Sequence, residues 1–397
     1  MSDKIRLLIL THNYPRYEGD FSGVFIALLA RQLQQFDIQP IVLAPHDAQT
    51  AEYEEIDGVK IYRFRYADDD ENEVIAYRGN MHKVVLGSVS GIFKFRHFLK
   101  CFEKATLEII AKEKINIIAG HWLVPSGIIM KRVAKRTNLP MIMSSHGTDI
   151  RLMNKWGKMP YRYFNKFCRK LKRWTVVSHF LKGKILTLDS QLGDLIEILP
   201  LPHDETIFYR DKAIKRENNL IVSVTRFTHQ KRVDYLIKAF AKVVKQKPEA
   251  RLHLYGSGEL QSDMKQIIVN LNLTDKISIF PPVPQSKLRE VYNKATIVVL
   301  NSYQEGFGLA LSEAMLCGAS VIGTDSGGIT DIIKDNESGL LVEVDNIPAL
   351  AEGILLLLND NDLREELAEK GYQYAQENYS SSSMTKRYAE IILEASH

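Results

Sequence analysis

From one end of the chain to the other, short apolar runs alternate with longer amphipathic stretches, and this alternation leaves few folds open. A strand that is apolar on both faces must be covered on both faces, which is the pattern of parallel sheets flanked by helices. Strands are expected near 5–10 (IRLLIL), 39–44, 59–64, 115–119 (INIIA), 140–144 and 174–177, with helices near 22–36, 83–111, 126–137 and 179–187. After LPLPHDETIF the pattern restarts, with strands near 219–224 (NLIVSV), 251–255, 277–280, 296–300 (TIVVL) and 319–323, and helices near 233–246, 259–271, 286–293 and 308–316. Pro200 and Pro202 interrupt both helix and strand, so the boundary belongs there. The expected fold class is α/β, with two doubly wound Rossmann-like domains. A last helix is expected over 381–396, with Met384, Tyr388, Ile391 and Leu393 on its apolar positions.

Length agrees with this division, since 397 residues at roughly 150 per domain give two or three domains. A hydrophobic fraction of 45% with 33 Phe and Tyr excludes a disordered chain. Cys101, Cys168 and Cys317 are widely spaced and contain no CxxC, so neither a disulfide framework nor a cysteine zinc site is expected, and a reducing, cytoplasmic setting is the default. The apolar run before His12 and Asn13 is about six residues, too short for a signal peptide, and no run approaches the roughly 18 apolar residues of a membrane span. The net charge of +4 conceals an asymmetry. Residues 1–200 carry 30 Lys and Arg against 21 Asp and Glu, a net of +9, and the remainder is −5. Opposite signs point to halves with different partners.

The sharpest constellation is Glu305-Gly306-Phe307-Gly308-Leu309-Ala310-Leu311-Ser312-Glu313, directly after TIVVLNS. A helix starting near Gly308 would offer unpaired first-turn amides and a positive dipole end, a site for phosphate or sugar oxygens. Glu305 before the helix and Glu313 inside it can accept hydrogens from different hydroxyls of one ligand. Arg226 and Lys231, after NLIVSV, can grip a diphosphate, Arg as a planar fork and Lys as a point charge. Gly256 and Gly258 of Tyr255-Gly256-Ser257-Gly258-Glu259 hold the equivalent place after the next strand and are expected to bind the donor, without the third glycine of a dinucleotide fingerprint.

Together these residues resemble a retaining glycosyltransferase of family 4, the "glycosyl transferases group 1", over essentially the whole chain. The carriers are Glu305 to Glu313 with its EGFGL core, the following EAMLCGASVIGTDSGG, Arg226, Lys231 and the final helix. The resemblance implies a GT-B architecture: an acceptor-side domain over 1–202, a nucleotide-sugar donor domain over 203–378, a cleft between them, and a 379–397 helix crossing back to the first domain. It implies that Glu313 binds ribose hydroxyls, Glu305 the donor hexose, the Phe307, Gly308 and Leu309 amides the sugar and diphosphate, and Arg226 and Lys231 the diphosphate. His146 of His146-Gly147-Thr148-Asp149 would contact the hexose near its reacting carbon. His121 and Asp149 would lie on the acceptor side, and Gly23 would offer an amide before the first long helix. The chain departs from the family at Gly19 to Gly23, where a GG pair is frequent, at Leu201 to Asp204, and at Pro281-Pro282 near the base.

No metal-ligand signature accompanies these motifs, since Asp68-Asp69-Asp70 lies in a polar acidic stretch that reads as a solvated turn. Arg226, Lys231 and helix N-termini would then carry the departing charge, so no metal and no cofactor is expected. From Arg151 to Leu188 there are 11 Lys and Arg and no acid, interleaved with Trp156, Tyr161, Tyr163, Phe164, Phe167 and Trp174. Cations among aromatics suit an anionic membrane surface, and Lys83 to Lys104 adds a second basic, Phe-rich stretch. The expected partners are a nucleotide-sugar donor, UDP favoured over GDP, and a glycan or lipid-linked acceptor at the cytoplasmic face of a membrane, with no nucleic acid. The rivals are a nucleotide-sugar epimerase of the same architecture and a non-catalytic nucleotide-sugar-binding protein. Product analysis without acceptor separates the first, and the joint presence of Arg226, Lys231, Glu305, Glu313 and His146 argues against the second.

Overall fold

The computed structural model describes residues 4–77, 81–155 and 158–396 and divides into two units. Met1–Val177, Leu181–Pro202 and Ser381–His397 form the first, and Ser178–Phe180 with His203–Ser380 the second. Each is built on one twisted sheet.

The first sheet contains β1 (Ile5–Leu10), β2 (Ile38–Pro45), β3 (Tyr53–Ile56), β4 (Val59–Phe64), β5 (Ile117–His121), β6 (Met141–Ser145), β7 (Arg173–Val176) and β8 (Ile196–Ile198). Their order is β3-β4-β2-β1-β5-β6-β7-β8, and every pair is parallel except β3 with β4. Leu7 to Leu10 are wholly buried because helices cover both faces, which is why β1 reads as an unbroken apolar run and not as alternation. The associated helices are α1 (Val24–Leu33), α2 (Met81–Gly87), α3 (Val89–Glu113), α4 (Ile128–Val133), α5 (Thr148–Lys155), α6 (Lys158–Cys168) and α7 (His179–Leu186). The single helix expected over 83–111 is two, divided at Ser88, whose hydroxyl caps α3 by accepting from the Gly91 amide at 3.0 Å.

The second sheet contains β9 (Leu220–Val224), β10 (Arg251–Tyr255), β11 (Ile277–Phe280), β12 (Ile297–Leu300), β13 (Ser320–Thr324) and β14 (Leu340–Val342), all parallel, in the order β11-β10-β9-β12-β13-β14. Its helices are α8 (Val233–Gln246), α9 (Gln261–Asn270), α10 (Gln285–Lys294), α11 (Leu309–Leu316), α12 (Ile329–Ile332), α13 (Ile347–Asn359) and α14 (Asn361–Tyr379). A final helix, α15 (Ser381–Ser396), belongs to the first unit. It buries Tyr388, Ala389, Ile391, Ile392 and Ala395 in the core beside α1 and the central strands. Each large apolar side chain so buried contributes about 1.5–3 kcal/mol, and Gln32 of α1 adds polar ties to Ser381 (2.6 Å) and Thr385 (2.7 Å). Leu393, placed among its apolar positions by spacing, is exposed.

Both sheets have a switch point, where successive connections leave in opposite directions and loops part to leave a crevice. In the first it lies between β1 and β5, and in the second between β9 and β12.

Candidate active site

In the second unit, the loops after β9 and β12 bring Lys231 and Glu305 into a direct ion pair, both side chains largely buried. Several bonds fix the two loops: Tyr303 N donates to Gln230 O (2.8 Å), Gln230 Nε2 to Gln304 O (3.2 Å), and Asn301 Nδ2 to Arg232 O (3.1 Å). From the far side Gly328 N donates to Glu305 O at 2.8 Å. Burial, the largest single influence, raises the Glu305 carboxyl, but the Lys231 ammonium and hydrogen bonds from Lys231, Ser302 and the Gly306 amide together hold the group below the usual carboxylate range. Arg226 is exposed, so its guanidinium is open to a ligand.

Gly308, at φ 116°, caps α11 and turns the chain into it. Among the described residues, the Phe307, Gly308 and Leu309 amides find no backbone acceptor, so the helix presents free donors beside Glu305. Glu313 lies within α11 and is buried, accepting from the Tyr292 hydroxyl at 3.0 Å. Burial pushes its carboxyl up to about 8. Tyr292 was not singled out by the sequence, because one tyrosine in an amphipathic helix carries no signal of the carboxyl it will meet.

The glycines after β10 work differently from the expectation. Gly256 donates its amide to Phe280 O at 3.0 Å, so that amide is not available to a phosphate. A Cβ on Gly256 would lie 1.9 Å from Thr225 O, and one on Gly258 2.3 Å from Phe227 O. Both glycines let the β10 loop pack on the loop that carries Arg226. Gly23 likewise, at φ 67°, admits the Asn13 carbonyl where a Cβ would stand 2.3 Å away.

In the first unit, three histidines, His121 buried and His12 and His146 half-buried, gather at the β1/β5 switch point and the end of β6. His121 Nδ1 lies 3.0 Å from His146 Nε2, while Trp122 packs edge-on against both His146 (4.6 Å between centroids) and His12 (4.7 Å). Phe25 of α1 closes on His146 at 4.9 Å. Burial lowers His12 to about 4 and His121 to about 3, and drives His146 well below its ordinary value, so all three are neutral at pH 7. His12 follows β1 much as His121 ends β5, a parallel legible in the sequence.

Asp149, expected on the acceptor side, is held inside the fold. It is buried, and its two oxygens accept from backbone amides, Leu123 at 2.9 Å and Gly147 at 3.2 Å. It ties the loop after β5 to the loop after β6.

The acid-free segment is also corrected. Tyr161, Phe164, Phe167 and Trp174 are buried, with Tyr161 donating to Asp189 at 2.5 Å and Trp174 to Ser145 at 3.0 Å. Tyr163 is exposed beneath the Lys131 ammonium, and Trp156 lies outside the described residues. Four of the six aromatics are core, so the described aromatics of the segment form no exposed row.

Among the described residues one trio, His46, Asp70 and Glu73, brings ligand-type atoms within 4.8 Å of one another. They already have partners: His46 Nδ1 bonds Glu73 (2.6 Å), His46 Nε2 meets Thr50 O (3.0 Å), and Arg65 donates to Asp70 (2.6 Å). The acidic turn expected at 68–70 is thus partly built into the fold. No described helix is long and apolar enough to cross a membrane.

Two Rossmann-like units, with an ion-paired lysine and an EGFGL helix start at the switch point of one, define a sugar-transfer enzyme of the GT-B fold. Residues 22–202 match the model of Glycosyltransferase Family 4, and residues 204–374 that of Glycosyl transferases group 1. The chain belongs to this glycosyltransferase family and is a hexosyltransferase. It is 26% identical to N-acetyl-alpha-D-glucosaminyl L-malate synthase of Bacillus anthracis, over 79% of this chain and 83% of that one. It is 28% identical to the poly(ribitol-phosphate) alpha-N-acetylglucosaminyltransferase of Staphylococcus aureus, over 53% and 44%. Its fold resembles that of sucrose-phosphate synthase from Thermosynechococcus elongatus, with a TM-score of 0.80, 18% identity and 98% of each chain covered. Anabaena HepE, solved with UDP-glucose, matches with a TM-score of 0.75, 15% identity, and 98% and 99% covered.

Proposed function

We propose that the protein transfers a hexose from a nucleotide diphosphate sugar, UDP-linked before GDP-linked, to a glycan or lipid-linked acceptor, with retention of anomeric configuration and without a metal. The observation that carries this is the Lys231–Glu305 pair beside the open amides of α11. Lys231, the exposed Arg226 and the α11 N-terminus supply positive charge where the diphosphate departs, which is electrostatic stabilisation by the chain itself. Glu305 orients Lys231 and accepts from hexose hydroxyls. Glu313 holds the ribose, and His146 meets the hexose through its free ring nitrogen.

Retention is assigned to front-face attack, in which the departing phosphate oxygen takes the acceptor hydroxyl's proton as the new glycosidic bond forms. A UDP-sugar is favoured because relatives by fold were solved with UDP or UDP-glucose. For the acceptor, α3 offers the support that 151–188 does not. Its exposed Val89, Ile92 and Phe93 stand beside exposed Lys94, Arg96 and Lys100, suiting an anionic, lipid-linked acceptor at a membrane face.

The deciding experiment is turnover of UDP-, GDP- and ADP-sugars with and without EDTA, with anomeric analysis of the product. Release of UDP unaffected by EDTA, with an α product from an α donor, is expected. Activity lost in EDTA and restored by magnesium or manganese would remove the metal-free account. Flotation with vesicles of graded anionic lipid tests the membrane face: no binding at low salt removes it.

A further inference from the structure

The two histidines at the β5 and β6 ends have an arrangement that goes beyond contact with a sugar. His121 and His146 are parallel within 3°, with centroids 5.2 Å apart. That separation is two ring radii plus one hydrogen bond, so the imidazoles meet edge to edge through His121 Nδ1 and His146 Nε2, 3.0 Å apart. The remaining nitrogens, His121 Nε2 and His146 Nδ1, are buried and have no hydrogen-bond partner among the described residues.

A neutral imidazole carries one N–H and one lone pair. If His121 bears its proton on Nδ1, His146 must offer a lone pair at Nε2 and so carry its own proton on Nδ1. If His146 bears its proton on Nε2, His121 must offer a lone pair at Nδ1 and carry its proton on Nε2. Mixed combinations set two N–H groups or two lone pairs against each other in a buried site, which costs the full desolvation of both.

We propose that His121 is a positioning residue for His146: their shared hydrogen bond holds both rings in the same tautomer, and thereby decides whether His146 Nδ1 meets the substrate as a donor or as an acceptor. Burial keeps both rings uncharged, so the choice lies between tautomers and not between charge states. An acceptor oxygen of a substrate at His146 Nδ1 sets both rings to Nδ1–H, and a donor hydroxyl sets both to Nε2–H. The surrounding packing serves this coupling. Trp122 and Phe25 hold His146, and Tyr388 of α15 lies over His121 at 6.4 Å while its hydroxyl is 3.1 Å from Ser144 Oγ. The proposal rests on His146 touching the substrate only for its catalytic consequence. The coupling itself does not depend on that role.

The test is two-bond ¹⁵N–¹H correlation of histidine-labelled protein, with assignment from His121→Asn, His121→Leu and His146→Asn. Both rings showing the same tautomer is the expected result, and one Nδ1–H with one Nε2–H overturns the proposal. In His121→Leu the His146 signal is expected to average between tautomers; an unchanged single tautomer overturns it. In kinetics, His121→Leu should lower kcat about tenfold, the worth of one such bond, with a smaller change in donor KM. His121→Asn, whose amide occupies the place of Nδ1, should recover most of the loss, and equal losses in both variants overturn the positioning role. Full activity in His146→Asn would instead defeat the contact assigned to His146 and leave the spectroscopic result standing.

Discussion

Lys231 and Glu305 come from loops 74 residues apart in sequence and form a mostly buried ion pair at the point where the second sheet reverses its strand order. A lysine held this way cannot swing into solvent, and a carboxylate held this way stays charged. Lys231→Ala leaves Glu305 without its counter-charge and, under the proposed function, removes a cation from the departing diphosphate. The expected result is a fall in kcat/KM of roughly 10² to 10⁴-fold with a stability loss of about 1–3 kcal/mol. Kinetics and thermal denaturation measured side by side check it: a stability loss without a rate loss would reduce the pair to architecture.

Glu313 gives the enzyme a titration near neutral pH. Its ordinary value is 4.5 and burial raises it to about 8 in the folded protein, so between these values the folded state holds the extra proton. Stability from this group is full below about 4.5 and falls as pH rises through about 8. Glu313→Gln should flatten that part of the stability curve. If the ribose hydroxyls bind the carboxylate, UDP binding at pH 7 should release about one proton, read by calorimetry in buffers of different ionisation enthalpy. In Glu313→Gln the release should vanish and affinity fall.

Gly256→Ala is expected to disable the Arg226 loop. The new methyl would sit 1.9 Å from Thr225 O, and the φ of 148° is one that L side chains rarely adopt. Neither can relax without moving backbone. Loss of folded yield, or of donor turnover by more than tenfold, is expected on the order of strained-backbone costs. Gly183→Ala is the contrasting change: no atom lies within 4 Å of the added methyl, which falls inside α7, so stability should rise by about 0.5–1 kcal/mol.

Asp149→Asn tests the tie between the loops after β5 and β6. An amide oxygen can replace one acceptor, but its NH₂ would face the amide of Leu123 or Gly147. A loss of about 1–3 kcal/mol is expected, from one buried donor left unsatisfied. If Asp149 serves only as this tie, acceptor KM should change less than stability. The reverse outcome would restore the acceptor-side role.

The alternation of apolar runs and amphipathic stretches was enough to define two parallel-sheet units, because a strand covered on both faces leaves a composition that helices do not imitate. Spacing missed β3, β8 and β14, which are short and lie at or near sheet edges, and it missed α13 and α14 entirely. The EGFGL segment and Lys231 were legible because their chemistry sits at strand ends, a position that periodicity alone supplies. Local sequence could not say which residues would be brought together, and here tertiary structure decided. It joined Lys231 to Glu305, Tyr292 to Glu313 and His121 to His146, and it sent Tyr161, Phe164, Phe167 and Trp174 inward, because partners from distant loops and the burial they share are set by sheet order and packing. The same burial explains what composition could not hold: a glutamate raised to about 8 and two neutral histidines bound through one proton.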